Sequence, residues 1–453
     1  MKHLTITLAL AAGMSMPLPA LDLEVTPGSM TSVMPILETT SDTSLKLSGS
    51  ANAADLSQLK YMPSTITRLD MSGLTIEGGE IPASMLTGSK IKDFIFPAGI
   101  TAIGASVFAA TPIESIAIPA GVTKIGDYAF ANCKSLTTVT IPADVTTLGK
   151  GLFKDCTKLS NLEIGNFPKE APASIFDGCT SLSYPVPAGV EKIGDYAWRS
   201  TPLESITLVG VQSIGAYAFA NMPNLIIVNI SNSEELTFGA GAFFGDTALS
   251  QLPDIIGTLS PGALAHTSGR LVTQISTPVI PEGAFANNSD ITGIKFTKEV
   301  RSIGDYAFRG DTSLGNIDAE DLNSNIPEVT ELSFSGLENE EGLYPINLNV
   351  TPESLDDWKA HPVWGLFRVV KSSTGIVNTE ASDFNVNIAR NGESITINAT
   401  SPIERVAVYS VDGMQLAESM PASTYCEISG LPAGDVLLVQ VSSGKAVTMR
   451  KLK

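Results

Sequence analysis

The sequence is poor in the side chains that most enzymes work with. Among 453 residues there are three histidines and four cysteines. His3 lies in the N-terminal apolar segment, and neither His266 nor His361 sits in a G-x-S-x-G or H-E-x-x-H phrase. The adjacent acids Glu234-Glu235, Glu320-Asp321 and Asp356-Asp357 do not make a hydrolytic pair. Glycoside hydrolysis needs two carboxyls facing each other across a substrate, whereas neighbours on a strand point to opposite faces. No catalytic residue is assigned, and neither a cofactor nor a metal is expected. Basic residues are also scarce: 28 Lys and Arg stand against 47 Asp and Glu, for a net charge of -19. That balance repels nucleic acid and anionic membrane and favours solubility. Long apolar runs are missing too. Leu4 to Met16 is too short to span a bilayer and nothing later is longer, so no transmembrane segment is expected. With the basic start at Lys2 and "PLPA" ending at Ala20, residues 1–20 read as a signal peptide.

What the chain does have is a repeat. Phe108, Phe130, Phe153, Phe176, Trp198, Phe219, Phe243, Leu264, Phe285 and Phe308 recur at intervals of 21 to 24 residues, each behind an "I-G-x-x-A" phrase or a relative of it. A fixed period in the twenties marks a supersecondary unit that cannot bury its apolar face alone and stacks on copies of itself. In the unit from Ile125, the residues Leu136, Val139 and Ile141 face inward from a short strand while Thr140 faces out. Pro142 has no amide hydrogen for the next ladder bond and ends the strand, and Ala143-Asp144 turn the chain back toward Val145 and Leu148. Gly126 and Gly149 are expected to adopt a backbone conformation other residues resist. The strand pattern returns at 116–118, 162–164, 206–208, 228–230 and 294–296. Pro185 interrupts the strand expected after Phe176, and "LSPGALAHT" around Leu264 lacks both the Ile-Gly and the Phe.

The phrases "IGDYAFANCKSLTTVTIP" (125–142), "IGDYAWRSTPLESITL" (193–208) and "IGDYAFRGDTSLGNI" (303–317) resemble the BspA-type leucine-rich repeat of bacterial and protist surface proteins. The fold class expected is therefore a β-rich solenoid of short parallel strands followed by a small Ig-like antiparallel β-sandwich. The segments are 21–65 as an N-terminal segment and cap, 66–335 as the solenoid, 336–370 as its C-terminal cap, 371–375 as a linker and 376–453 as the sandwich. The cap is read as an amphipathic helix from Pro352, capped by Thr351 or Ser354 and covering the last coil with Leu355, Trp358, Trp364 and Phe367. Such repeats commonly finish this way. In the last segment, "RVAVYSVDGMQL" (405–416), "ISGLPAGDVLLVQV" (428–441) and the basic end resemble the C-terminal sorting domain recognised by type IX secretion in Bacteroidetes.

Cys133, Cys156 and Cys179 each fall three residues after an anchor and should form a ladder on adjacent coils. Parallel Cβ vectors make a disulfide unfavourable, and a zinc site would lack a fourth ligand and paired spacing, so they read as buried thiols. Cys426 is expected to be half-buried. Tyr128, Tyr196, Tyr217 and Tyr306 occupy one repeat position and should pack along the flank of the solenoid. The remaining candidate for function is the outer strand face, where Thr140, Glu163, Thr207, Asn229 and Lys295 project with Ala117. This small, polar, mixed row suits a protein partner on a host or neighbouring cell. The resemblance implies an exported or surface-retained, adhesin-like scaffold that is not an enzyme; the alternative is a cell-surface carbohydrate-binding or carbohydrate-processing protein.

Overall fold

Every coil must satisfy its backbone polar groups while burying one apolar side, and a regular coil does so by bonding to the next along three lines. The computed structural model describes residues 6–7, 21–231, 235–250, 255–268, 273–371, 386–391, 393–410, 415–432, 437–443 and 446–452. The rest of the expected signal peptide, Glu234 and the expected linker beyond Lys371 lie outside these residues. The chain divides into two compact units, Met1–Ser372 and Ser373–Lys453.

The first line is the outer strand of each coil. Ser115–Ala117, Thr138–Ile141 and Asn161–Ile164 pair in parallel, with Ala117, Thr140 and Glu163 in register. The second line consists of two-residue strands: Glu80–Ile81, Ala102–Ile103, Lys124–Ile125 and Thr147–Leu148 form one parallel sheet, the last three each followed by Gly. The third line is a turn around the anchor that carries no strand. Tyr128, Phe130 and Asn132 donate their backbone N–H groups to the carbonyls of Lys150, Leu152 and Lys154 on the next coil, at 2.8, 3.0 and 2.7 Å. This is possible because the residues two before and two after the anchor take the left-handed conformation. Tyr128 and Asn132 have φ of 56° and 59°, and Tyr196 and Ser200 have φ of 59° and 62°. Asn and Gly tolerate this region; a tyrosine does so at a cost that the surrounding ladder must offset.

Inside, all ten anchors are fully buried. The rings of Phe108, Phe130, Phe153 and Phe176 stack at centroid separations of 5.2, 5.7 and 6.2 Å, and Phe285, Phe308 and Phe334 stack at 5.4 and 5.1 Å. These separations sit a little above the ~4.8 Å strand spacing, as offset stacking requires. Gly126 and Gly149 correct an expectation: neither has a positive φ. A Cβ on Gly126 would lie 2.5 Å from Ala105 N, and one on Gly149 2.4 Å from Asp127 N. They are glycines because the preceding coil passes too close.

Two irregularities follow from sequence. Pro185 leaves 183–187 without a strand, so the outer sheet stops at Asn161–Ile164 and a new one, Ser205–Val209 with Ile227–Ser231, begins on the next coil. At 255–264 the usual Pro turn between the two strand lines is absent. Ile255–Leu259 instead serves both lines, pairing Gly257–Leu259 with Leu236–Phe238 and Ile255–Ile256 with Ile275–Ser276. The corner is Gly257, with φ of 127°, where a Cβ would lie 2.1 Å from Leu236 O. Leu264 still fills the anchor slot, fully buried.

At the N-terminal end, Leu21–Val25, Ser44–Ala51 and Arg68–Ile76 extend the outer line in parallel. The helix Met30–Thr39 and the short turns at 53–61 cover them. The C-terminal cap differs from a single helix. A helix spans only Leu355–Ala360, a 3₁₀ turn follows at Trp364–Leu366, and Phe367–Lys371 becomes a strand paired with Tyr344–Val350. Pro362 cannot continue the helix, which accounts for the stop. Ser354 holds the N-cap position but makes no capping bond there. Trp358 and Trp364 are nonetheless fully buried, donating to Asn323 O at 2.9 Å and Pro327 O at 3.1 Å.

The second unit is a pair of antiparallel sheets. Val386–Asn391, Ser394–Ile403 and Ser423–Ile428 form one, and Gln415–Ser419, Arg405–Ser410, Leu437–Ser443 and Ala446–Leu452 the other. Ile395, Ile397, Val406, Val408, Leu437 and Val439 make its core. Cys426 belongs to that core and is 4% exposed, more buried than expected, because it faces inward opposite Ile397.

Because Phe130 fills a slot lined by Phe108 and Phe153, Phe130→Ala is predicted to cost about 3–5 kcal/mol. Thr140→Ala on the exposed face should cost under about 0.5 kcal/mol. Thermal melts of the two variants check this, and equal melting temperatures would refute the register.

Candidate binding surface

The outer strands present one side chain in every two to solvent, and parallel pairing lines these up across coils. Thr140 lies between Ala117 and Glu163, and all three are exposed. Thr207 stands beside Asn229, both exposed. Lys295 lies in register between Gln274 and Asp318. Pro185 breaks the face between Glu163 and Thr207, and between Asn229 and Lys295 the outer segment 251–254 lies outside the described residues, so among the described residues the five stand in three groups. Lys295 is also less free than its position suggests. Its Nζ is 3.8 Å from Asp318 and 3.3 Å from Asp321, and its side chain is 35% exposed. Burial opposes its charge, but these carboxylates hold the ammonium above its ordinary value.

A shallow groove of about 580 Å³ opens on the first group. Asp93, Phe94 and Phe96 line one wall, and Ser115, Ala117, Thr138 and Thr140 line the other. It lies where one sheet ends at Asp93–Ile95 and the next begins at Ser115–Ala117. Phe94 packs edge-on against Phe96 and Phe108, each at 4.9 Å, which ties the groove floor to the anchor stack.

The flank, where the repeated tyrosines are expected to pack, carries a second surface. Tyr196 and Tyr217 stack at 5.5 Å, Phe244 meets Tyr217 edge-on at 6.2 Å, and His266 meets Phe244 at 4.9 Å. The tyrosine ring on one coil covers the glycine at the same position on the next: a Cβ on Gly151 would lie 2.2 Å from the Tyr128 ring. Arg199 lies over Tyr196 at 4.7 Å and Arg309 over Tyr306 at 5.4 Å. Beside them, Asp177 is buried between Lys154 at 3.1 Å and Arg199 at 2.7 Å. The signal for this triad is in the sequence, since the three residues share one repeat position on successive coils.

The histidines have structural roles. His266 is an exposed left-handed turn residue hydrogen-bonded to Asn287 at 3.2 Å. His361 Nδ1 accepts from the backbone N–H groups of Val363 and Trp364 at 3.3 and 3.2 Å, and burial lowers its basicity. Of the acidic pairs, Asp356 and Asp357 occupy the first turn of the cap helix and Glu320-Asp321 a 3₁₀ turn. Among the described residues, no group of three or more His, Cys, Asp or Glu could hold a metal ion. Cys133, Cys156 and Cys179 are free and buried, and their thiols donate to the carbonyls of Phe108, Phe130 and Phe153, each at 3.0 Å. Burial pushes the Cys156 and Cys179 thiols up, which keeps them protonated and unreactive.

Short parallel strands repeating with each coil of about 22 residues, around a ladder of inward apolar side chains, define a leucine-rich-repeat solenoid. A profile of the BspA type leucine rich repeat region, in six copies, matches residues 79–186, 169–254 and 274–354. The chain belongs to that family. No curated protein matches it. Among solved structures, it is similar to a leucine-rich repeat protein from Bacteroides ovatus ATCC 8483, with 18% identity over 82% of this chain and 99% of the other, and a TM-score of 0.48. It is also similar to the pneumococcal vaccine antigen PcpA, at 17% identity over 73% and 79% with a TM-score of 0.39. A third is a leucine rich cell surface protein from Faecalibacterium prausnitzii A2-165, at 20% identity over 61% and 79% with a TM-score of 0.34.

With their thiols bonded inside the stack, the three ladder cysteines should resist alkylation in the native protein and react fully in denaturant. Melting should be the same with and without reductant. Mass spectrometry of alkylated samples checks the first point, and a large loss of stability on reduction would overturn the assignment.

Proposed function

We propose that the protein is an exported leucine-rich-repeat scaffold, secreted or held at the outer cell surface, that binds a protein partner in an adhesin-like role. The observation that carries this reading is the register of the outer strands, which aligns exposed small and polar side chains on coils whose inner side is entirely committed to the core. Interdigitating polar contacts and shape recognition suit such a face, with Thr140, Glu163, Thr207, Asn229 and Lys295 as its contact residues. Sugar stacking would call for exposed ring faces, and on the flank Tyr196 and Tyr217 cover each other's. No helix among the described residues is long and apolar enough to cross a membrane. In this reading residues 1–20 direct export, 21–65 and 336–370 close the ends of the solenoid at 66–335, 371–375 link the units, and 376–453 serve as a sorting domain of the type IX kind.

Two experiments test the parts separately. Glu163→Arg with Asn229→Arg should leave the melting temperature nearly unchanged, since both sites are exposed, yet reduce capture of surface proteins in pull-downs by tenfold or more. Saturable binding on a glycan array that survives the double substitution would favour the carbohydrate alternative. Deleting 376–453 should leave the solenoid folded, because Trp358 and Trp364 already cover its last coil. The same deletion should abolish surface display in the native host. Unchanged display would reduce the second unit to an interaction module.

A further inference from the structure

Asp246 and Asp311 occupy the buried position three residues after an anchor, which Cys133, Cys156, Cys179 and Asn288 fill on other coils. At this position a side chain meets two backbone groups of the preceding coil: the N–H of the equivalent residue and the carbonyl of the anchor. Asn288 satisfies both, accepting from Thr267 N at 2.6 Å and donating from Nδ2 to Leu264 O at 2.9 Å. The three thiols satisfy the second by donating to an anchor carbonyl at 3.0 Å. The two aspartates make the first half of the Asn288 pattern. Oδ1 of Asp246 accepts from Met222 N at 2.7 Å, and Oδ1 of Asp311 accepts from Asn288 N at 2.8 Å. Their Oδ2 atoms are buried and have no hydrogen-bond partner. By the equivalence of the coils, each Oδ2 takes the place of the Asn288 Nδ2, directed at the carbonyl of the preceding anchor, Phe219 or Phe285. Two acceptors facing each other in a dry core are unfavourable, and a proton on Oδ2 turns the clash into a hydrogen bond.

We infer that Asp246 and Asp311 are held as neutral carboxylic acids that donate to the carbonyls of Phe219 and Phe285, giving the solenoid a pH-sensitive lock that loosens as pH rises. Burial pushes the Asp311 carboxyl up to about 9 and raises that of Asp246 as well, each opposed only by the one backbone N–H it accepts. No charged neighbour contributes to either. Their ladder neighbours are Met222 and Thr267 for Asp246, and Asn288 and Leu337 for Asp311, none of them ionisable. The sign is fixed by linkage. The folded chain holds these protons more tightly than an unfolded carboxyl, which titrates near ~3.9. The stability they contribute is therefore full below that value and is lost as pH rises through the folded value, about 9 for Asp311.

The test is thermal unfolding of the full chain at pH 5, 7 and 9 for the wild type, Asp246→Asn, Asp311→Asn and the double variant, with the exposed Asp356→Asn as control. An amide donates at every pH. The margin of the Asn variants over the wild type should be smallest at pH 5 and widen by several degrees towards pH 9, while the control follows the wild type throughout. Parallel pH profiles for variants and wild type would overturn the inference, as would Asn variants that melt below it at pH 9. If a variant fails to fold, infrared spectroscopy of the native wild type at pH 7 decides. A carboxylic-acid C=O band supports neutral Asp246 and Asp311, and its absence refutes them.

Discussion

The distance between successive coils governs this protein. Backbone hydrogen bonds on three sides of each coil hold neighbours at strand spacing, ~4.8 Å, and almost every local peculiarity is a response to that closeness. Gly126 and Gly149 have no side chain because the coil before them leaves no room for a Cβ. The anchor turn carries left-handed residues at two positions because only then do the amides of Tyr128, Phe130 and Asn132 all reach the next coil. The anchor rings stack, and the thiols of the cysteine ladder find an anchor carbonyl at 3.0 Å, for the same reason.

A molecule built from nearest-neighbour contacts tolerates local faults. Pro185 removes a strand, yet Phe167 and Tyr184 fill the gap against Phe176, and Trp198 donates to the Tyr184 carbonyl at 2.9 Å. The coil at Leu264 loses its turn and its aromatic anchor, yet Gly257–Leu259 still pairs with Leu236–Phe238 of the coil before. Each fault changes the outside more than the inside. The core stays continuous while the outer sheet is divided at Pro185, and that division separates Thr140 and Glu163 from Thr207 and Asn229.

The interior is not uniformly apolar. A polar file runs beside the anchor stack, with Thr111, Thr201 and Thr267 bonding an anchor carbonyl where thiols do so elsewhere. Such a file satisfies the turn carbonyls that no ladder bond reaches, and it explains why small hydrogen-bonding residues occupy a fully buried position. On the outside, the Lys154–Asp177–Arg199 triad ties three coils together next to the tyrosine flank. Asp177 is buried there while both cations stay about a third exposed, so the carboxylate is paired without the cations being fully desolvated.

The repeat period, the inward positions, the anchors and the buried cysteine ladder were legible in the sequence, because each is a one-dimensional pattern that stacking only multiplies. So were the parallel outer strands and the side chains that face away from the core. The reason for Gly126 was not legible, since steric closeness belongs to the neighbouring coil and not to the residue's own dihedrals. The fusion of strand lines at Gly257 and the depth of Cys426 also depended on partners distant along the chain. Most of all, the candidate surface could be listed from the sequence but not assembled from it. Which exposed residues stand side by side is decided by where the sheet breaks, and that is settled only when the coils are stacked.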